Sequence, residues 1–312
     1  MNLTELIQRT RDILGDDPQQ ASAPKKWSDA LIARNLSAAN DAMWMQAVEA
    51  DEHWGFDVYS LSSLGAVAST AQNGLIGVYL PRDMGIVKFI SEQPTDLNRG
   101  LEVAARNFSE LEDFIPGVRW PVTDQRSWFP GPNQQALYFT NTAAIDTSKL
   151  LVWFLRKPPP FLRFSASAYP TTSAITVNFL TGATIGKVGV QSDYYRNSIF
   201  ECLTTSGSVT PQGLRFVVSG WALGTHPNFR MDLVTPHGLA SGATTWETVP
   251  IWPEEHHDLL ATIAAYKCLL KGSDVQQRAA VASDMQAQSH EFVQRIENRQ
   301  VQWPRYVHYL DD

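Results

Sequence analysis

Helical patterning in this chain is confined to its two ends. Apolar residues recur at helical spacing through roughly the first 50 residues, and again from about residue 253 onward. Between these stretches lie some 200 residues of short β-like runs, turns and prolines. A helix with one apolar stripe must bury it against another element, and each terminal segment is the most economical partner for the other. The expected fold class is therefore α+β. Both chain ends, 1–56 and 252–300, should form one helical domain. Into it are inserted a β-rich segment at 57–160 and an additional β domain at 161–251, with an arm at 301–312 left over.

Local signals place the elements. Leu3, Leu6, Ile7, Thr10 and Leu14 share one helical face, with Asn2 as cap and Glu5 in capping-box position. Residues 15–26 read as a loop. Ser28 caps a second helix running to about residue 52, with Leu31, Ile32, Ala38, Ala39, Ala42, Met45 and Val48 as its expected apolar face. Runs at 74–80 and 85–90 read as strands joined by the hairpin-length connector Pro81-Arg82-Asp83-Met84, and 107–113 reads as a short helix. Two further strands, 136–140 and 149–155, flank a turn at Asp146-Thr147-Ser148. Pro158-Pro159-Pro160 then ends the block, because prolines cannot donate to a ladder. Strand signals at 161–168, 173–180, 186–191, 198–204, 214–222, 229–234 and 244–251, separated by regular turns, predict a β-sandwich or barrel. Helices resume at 254–271 and 275–298. Val281, Met285, Phe292 and Ile296 form a stripe on the last one.

Composition narrows the functional classes. With 44% hydrophobic and 18% charged residues, the chain has the balance of a folded protein. A net charge of −7 argues against a surface that grips phosphates, though it does not exclude a passage that lets DNA slide without sticking. No apolar run approaches the length of a membrane span, and the charges among residues 1–14 do not suit a secretion signal. Cys202 and Cys268 are too few for a disulfide framework, which points to a reducing site of synthesis. The tryptophans, spread from Trp27 to Trp303, read as core and interface anchors, since most lack the basic neighbours that base stacking would need.

The chemical motifs are weak. Glu254-Glu255-His256-His257-Asp258 resembles a metal cluster, but neighbours on a helix point about 100° apart, so at most two could share an ion. Acids after Pro253 read better as complements to a helix dipole. His290-Glu291-Phe292-Val293-Gln294 has Gln where a zinc protease needs its second His. The segment Gly182-Ala183-Thr184-Ile185-Gly186-Lys187 is one residue short of a phosphate loop, and Val188 stands where a metal-binding hydroxyl belongs. No nucleophile elbow or paired-cysteine zinc spacing occurs. Carboxylates for glycoside hydrolysis need no fixed sequence spacing, so a hydrolase stays open as a weak third class. The reading is a protein that is not an enzyme, without catalytic residues, cofactor or metal.

Three patterns carry a family resemblance by their order and spacing. The first is the helix at 3–14, a polar loop, then Trp27-Ser28-Asp29-Ala30-Leu31-Ile32 opening a helix that ends near Trp54. Next comes Tyr79-Leu80-Pro81-Arg82-Asp83, followed by Pro130-Gly131-Pro132, a strand at Tyr138, and 150–159. The last is Ile251-Trp252-Pro253 with the acid–histidine run, then Ala264-Ala265-Tyr266-Lys267-Cys268-Leu269-Leu270 and Gly272-Ser273-Asp274. Over about 1–160 and 250–312 the chain resembles bacteriophage head-to-tail adaptor (connector) proteins; 161–250 departs from that pattern. The resemblance implies a virion structural protein made in the host cytoplasm and located in the neck. There it would form a dodecameric ring beneath the portal protein, above a tail or stopper protein, with genomic DNA passing through without sequence-specific contact and no membrane involved. It also implies that the C-terminal arm docks on the portal, through Trp303, Tyr306, Tyr309 and Leu310. The alternative is a tail-associated carbohydrate- or receptor-binding component, with 161–251 as its binding domain.

Overall fold

The computed structural model describes residues 1–16, 26–51, 54–60, 70–72, 75–79, 84–92, 102–105, 127–130, 136–139, 150–166, 174–178, 195, 198–205, 215–223, 228–233, 244–272 and 274–302. The chain is α+β and forms two compact units. Among the described residues, Gly55–Lys157 make up one and everything else belongs to the other.

Among the described residues the first unit holds four helices. Helix α1, Leu3–Leu14, starts with the expected capping box: the Asn2 side chain accepts from Glu5 N–H while Glu5 accepts from Asn2 N–H. It ends at Gly15 in the left-handed region at φ 65°, where Asp16 N–H reaches back to the Arg11 carbonyl at 3.0 Å. Helix α2, Asp29–Ala50, is capped by Ser28. A single 3₁₀ turn, Glu254–His256, leads into α3, His257–Leu269, and α4 spans Val275–Gln302. Helix α3 is buried nearly all round because its sequence is apolar all round, and it packs against α1, α2 and α4. The two chain ends therefore do close on each other. Val281, Phe292 and Ile296 of the α4 stripe are buried and Met285 is half-buried.

The expected face of α2 requires correction. Met45 is 46% exposed, and Leu31, Ala38, Ala42 and Val48 are only half-buried. Ile32, Ala33, Leu36, Ala39, Asn40, Met43, Trp44 and Ala47 are buried instead. The buried face is turned by roughly 140° around the helix from the one read by hydropathy. That turn brings Asn40 inside, where it has a partner.

The same unit carries an open six-stranded sheet. Its strands are β9 (Arg163–Ala166), β10 (Ala174–Asn178), β11 (Ile199–Thr205), β12 (Arg215–Leu223), β13 (Asn228–Leu233) and β14 (Thr244–Val249), in the order β10-β13-β12-β11-β14-β9. Register shifts at Cys202/Thr204 and Val218/Gly220 mark bulges, which raise local twist. The edge strands β9 and β10 have Cα atoms within 8 Å of each other, but no ladder joins them among the described residues, so the expected barrel is not closed. A boundary at 161–251 was expected from the sequence. Here β14 packs on α1, and these strands share a compact unit with the helices. The run at 186–191 lies outside the described residues, as does the short helix expected at 107–113.

The second unit is an eight-stranded sheet. Its strands are β1 (Phe56–Ser60), β2 (Thr70–Gln72), β3 (Leu75–Tyr79), β4 (Met84–Glu92), β5 (Glu102–Ala105), β6 (Ser127–Pro130), β7 (Ala136–Phe139) and β8 (Leu150–Arg156). The order is β1-β8-β4-β5-β6-β7-β3-β2, antiparallel except for β5 with β6. Two sequence readings change. Strands β3 and β4 are not a hairpin: β3 pairs with β2 and β7, and β4 with β5 and β8. Pro81-Arg82-Asp83 has none of the Gly or Asn that a tight hairpin turn requires. Likewise β7 and β8 do not pair with each other across 146–148. One face of the sheet shows Phe56, Val58 and Ile86 at 37–39% exposure. On that face Phe56, Phe89 and Trp153 form a cluster with ring centroids 5.2–6.1 Å apart.

Candidate functional site at the meeting of the chain ends

The site is built around the segment 252–258, where the chain returns from the sheet to the helices. Trp252 is 3% exposed. Its indole stacks on Trp54 at 5.7 Å, meets Phe292 edge-on at 5.4 Å, and donates Nε1–H to Asn40 Oδ1 at 2.6 Å. An indole nitrogen is only a donor, so the Asn40 carbonyl oxygen must face it. His256 packs edge-on to the other side of this cluster, 5.0 Å from Phe292.

The acid–histidine run does not converge. Glu254 pairs with Arg215 of β12 at 3.1 Å, Glu255 with Arg295 of α4 at 2.8 Å, and Asp258 with Arg9 of α1 at 2.8 Å. The Arg215 guanidinium, followed by the Met1 amino group, holds the Glu254 carboxyl below its usual range. No side chain caps the 3₁₀ turn or α3, but Glu254 and Glu255 lie in the first turn of the one and Asp258 in the first turn of the other, where acids complement the dipole, and their ion pairs tie three other elements to this segment. Among the described residues no group of three His, Cys, Asp or Glu is placed to hold a metal ion.

His257 is 1% exposed and fully engaged. Nε2 lies 2.9 Å from the Trp252 carbonyl and Nδ1 lies 2.8 Å from the Met1 amino group. The carbonyl only accepts and the ammonium only donates, which fixes a neutral ring protonated on Nε2. Burial, then the nearby amino group, lowers the His257 pKa against the raising effects of the Trp252 carbonyl and Glu254. A histidine depressed in the folded state contributes stability that is present above its unfolded pKa of about 6.5 and is lost as pH falls below it. Denaturant titrations should therefore show wild-type stability falling between pH 6.5 and mildly acid conditions. His257→Gln, which keeps a donor for the Trp252 carbonyl, should have a flatter profile there. Parallel profiles would remove His257 from this role.

A second polar cluster seats the start of α1 on β14. Glu247 is fully buried and accepts from Thr4 N–H at 2.7 Å, from Thr4 Oγ1 at 2.5 Å, and from Arg163. Its charge thus sits at the positive end of the α1 dipole. Asn2 Nδ2 donates to Glu201 of β11 at 3.0 Å, and Arg215 donates to the same carboxylate at 3.2 Å. Along this edge runs an open groove of about 640 Å³, lined by Met1, Glu5, Gln8, Arg9, Asp12, Arg215 and Glu254. Its arginines already pair with acids of the same unit.

Trp303, Tyr306, Tyr309 and Leu310 lie outside the described residues, as does the glycine pair at 182–187. His290 and Gln294 contact each other at 2.9 Å, and Glu291 pairs with Arg295 at 2.6 Å, so this stretch is a helix surface with i,i+4 partners. Both cysteines are buried and neither is in a disulfide, and burial raises the Cys268 pKa. Among the described residues no helix is long and apolar enough to cross a membrane. No protein-family model matches the chain, and no curated protein matches it. Glu247 and Arg163 escaped the sequence reading, because a Glu beside Trp246 in a strand reads as its solvent face.

Proposed function

We propose that this chain is a virion structural protein, a head-to-tail adaptor that forms a dodecameric ring in the neck between portal and tail or stopper. The observation that carries the reading is the closure of α1 and α2 on α3 and α4, the helical frame expected from the apolar stripes of the two chain ends. A β unit is inserted between the two halves of that frame. Two further features support it. Ion pairs from α1, β12 and α4 converge on the segment Glu254–Asp258 within one unit, which fixes the orientation of the frame's elements. The sheet face with Phe56, Val58 and Ile86 offers apolar surface of the kind found at assembly contacts. In this reading the acidic chain lines a DNA passage without gripping it, and the segment carrying Trp303, Tyr306, Tyr309 and Leu310 anchors the ring to the portal.

The test is assembly. Sedimentation of the purified chain should show a monomer or small oligomer alone and a ring-sized species once portal is added. Deleting 300–312 should abolish portal binding while leaving the helical circular dichroism unchanged. A chain that stays monomeric with portal at high concentration would count against the adaptor. Robust glycan binding by the full chain would favour a receptor-binding component instead.

A further inference from the structure

Where α2, the proline segment and the exit from β14 meet, the first unit encloses a narrow cavity. Its walls include Asn40, Pro159, Phe161, Ser198, Thr248 and Pro250. About 10 Å³ is open to the centre of a water-sized sphere, close to the room one water molecule requires. Ser198 is 4% exposed, and its hydroxyl has no hydrogen-bond partner in the protein. Its backbone is already committed, with N–H to the Tyr195 carbonyl and C=O to Val218 N–H, both at 2.9 Å. Asn40 is also short of partners. Its Oδ1 accepts from Trp252, which leaves two amide hydrogens with one long contact, 3.5 Å to the Pro159 carbonyl. Thr248 is engaged with Leu162, whose N–H its hydroxyl accepts from at 2.9 Å and whose carbonyl it donates to at 3.4 Å.

The prolines sharpen the chemistry. They contribute carbonyls and no N–H, so they add acceptors to the walls and no donors. A buried hydroxyl and amide left unpaired are costly, and a water molecule offers two donors and two acceptors at once. We infer that the cavity is a specific site for one structural water. This water accepts from Asn40 Nδ2, bonds the Ser198 hydroxyl and donates to a proline carbonyl. It thereby links α2, the proline segment and the start of β11.

Two measurements on the full chain decide this. A high-resolution crystal structure should show one density peak within hydrogen-bonding reach of both Ser198 Oγ and Asn40 Nδ2. A cavity closed by a shifted side chain, or Ser198 Oγ bonded directly to protein, would overturn the inference. So would a peak at contacts shorter than hydrogen bonds, which would indicate a cation. Magnetic relaxation dispersion of water oxygen counts long-lived internal waters. Ser198→Val, which fills the space and removes the hydroxyl, should lower that count by one. An unchanged count in a folded variant would overturn the site. If the variant does not fold, the wild-type density alone decides.

Discussion

Phe292→Ala should destabilise the helical frame by about 3–5 kcal/mol, the range for truncating a buried aromatic side chain. Phe292 is 1% exposed and touches Trp252 and His256, both edge-on. Removing the ring leaves a cavity between α4 and the segment that carries Trp252, and Trp252 is held on its other sides by Trp54 and Asn40. The neighbours therefore cannot collapse into the gap, which places the cost toward the upper end. Denaturation followed by helical circular dichroism checks it. A midpoint within error of wild type would show that the stripe of α4 is not core.

Glu247→Ala should cost a similar amount, about 3–5 kcal/mol, because breaking a buried pair strands the other charge. Arg163 would lose its partner, and Thr4 would lose acceptors for both N–H and hydroxyl. The energetic burden falls on what is left behind, so the double variant Glu247→Leu, Arg163→Met should recover much of the loss. A double-mutant cycle in urea separates the two contributions. If Glu247→Ala and Arg163→Met added without coupling, the pair would not be what seats α1 on the sheet.

Much of the helical layout could be read from the sequence because its signals are local. The capping box of Asn2 and Glu5, the cap at Ser28 and the break near Gly272 each depend on residues within a turn of one another. The buried face of α2 was not local. Alanines are common on both of its sides, and Asn40 is inside only because Trp252, far along the chain, supplies a donor. Strand positions were legible by alternation, but partners were not: nothing near Pro81 tells β4 to seek β8. The same limit hid the site. Glu247 follows strand alternation toward the outer face of the sheet, and only the presence of α1 on that face turns a solvent position into a fully buried one. The acid–histidine run was visible at once, yet its partners Arg9, Arg215 and Arg295 could not be assigned without the fold.

Closure of the frame by both ends also sets a timetable for synthesis. The partners of α1 lie far downstream: Arg9 and Asp258 are 249 positions apart, and Gln277 reaches the Ile13 carbonyl across 264. A ribosome adding roughly 5–20 residues per second needs on the order of 10–40 s to traverse the inserted stretch. Throughout that interval the apolar faces of α1 and α2 have been made and their cover has not. The nascent chain must keep these faces out of wrong associations until α3 emerges. Its yield in the cell should therefore depend more on translation speed and chaperone supply than on the final stability of the fold.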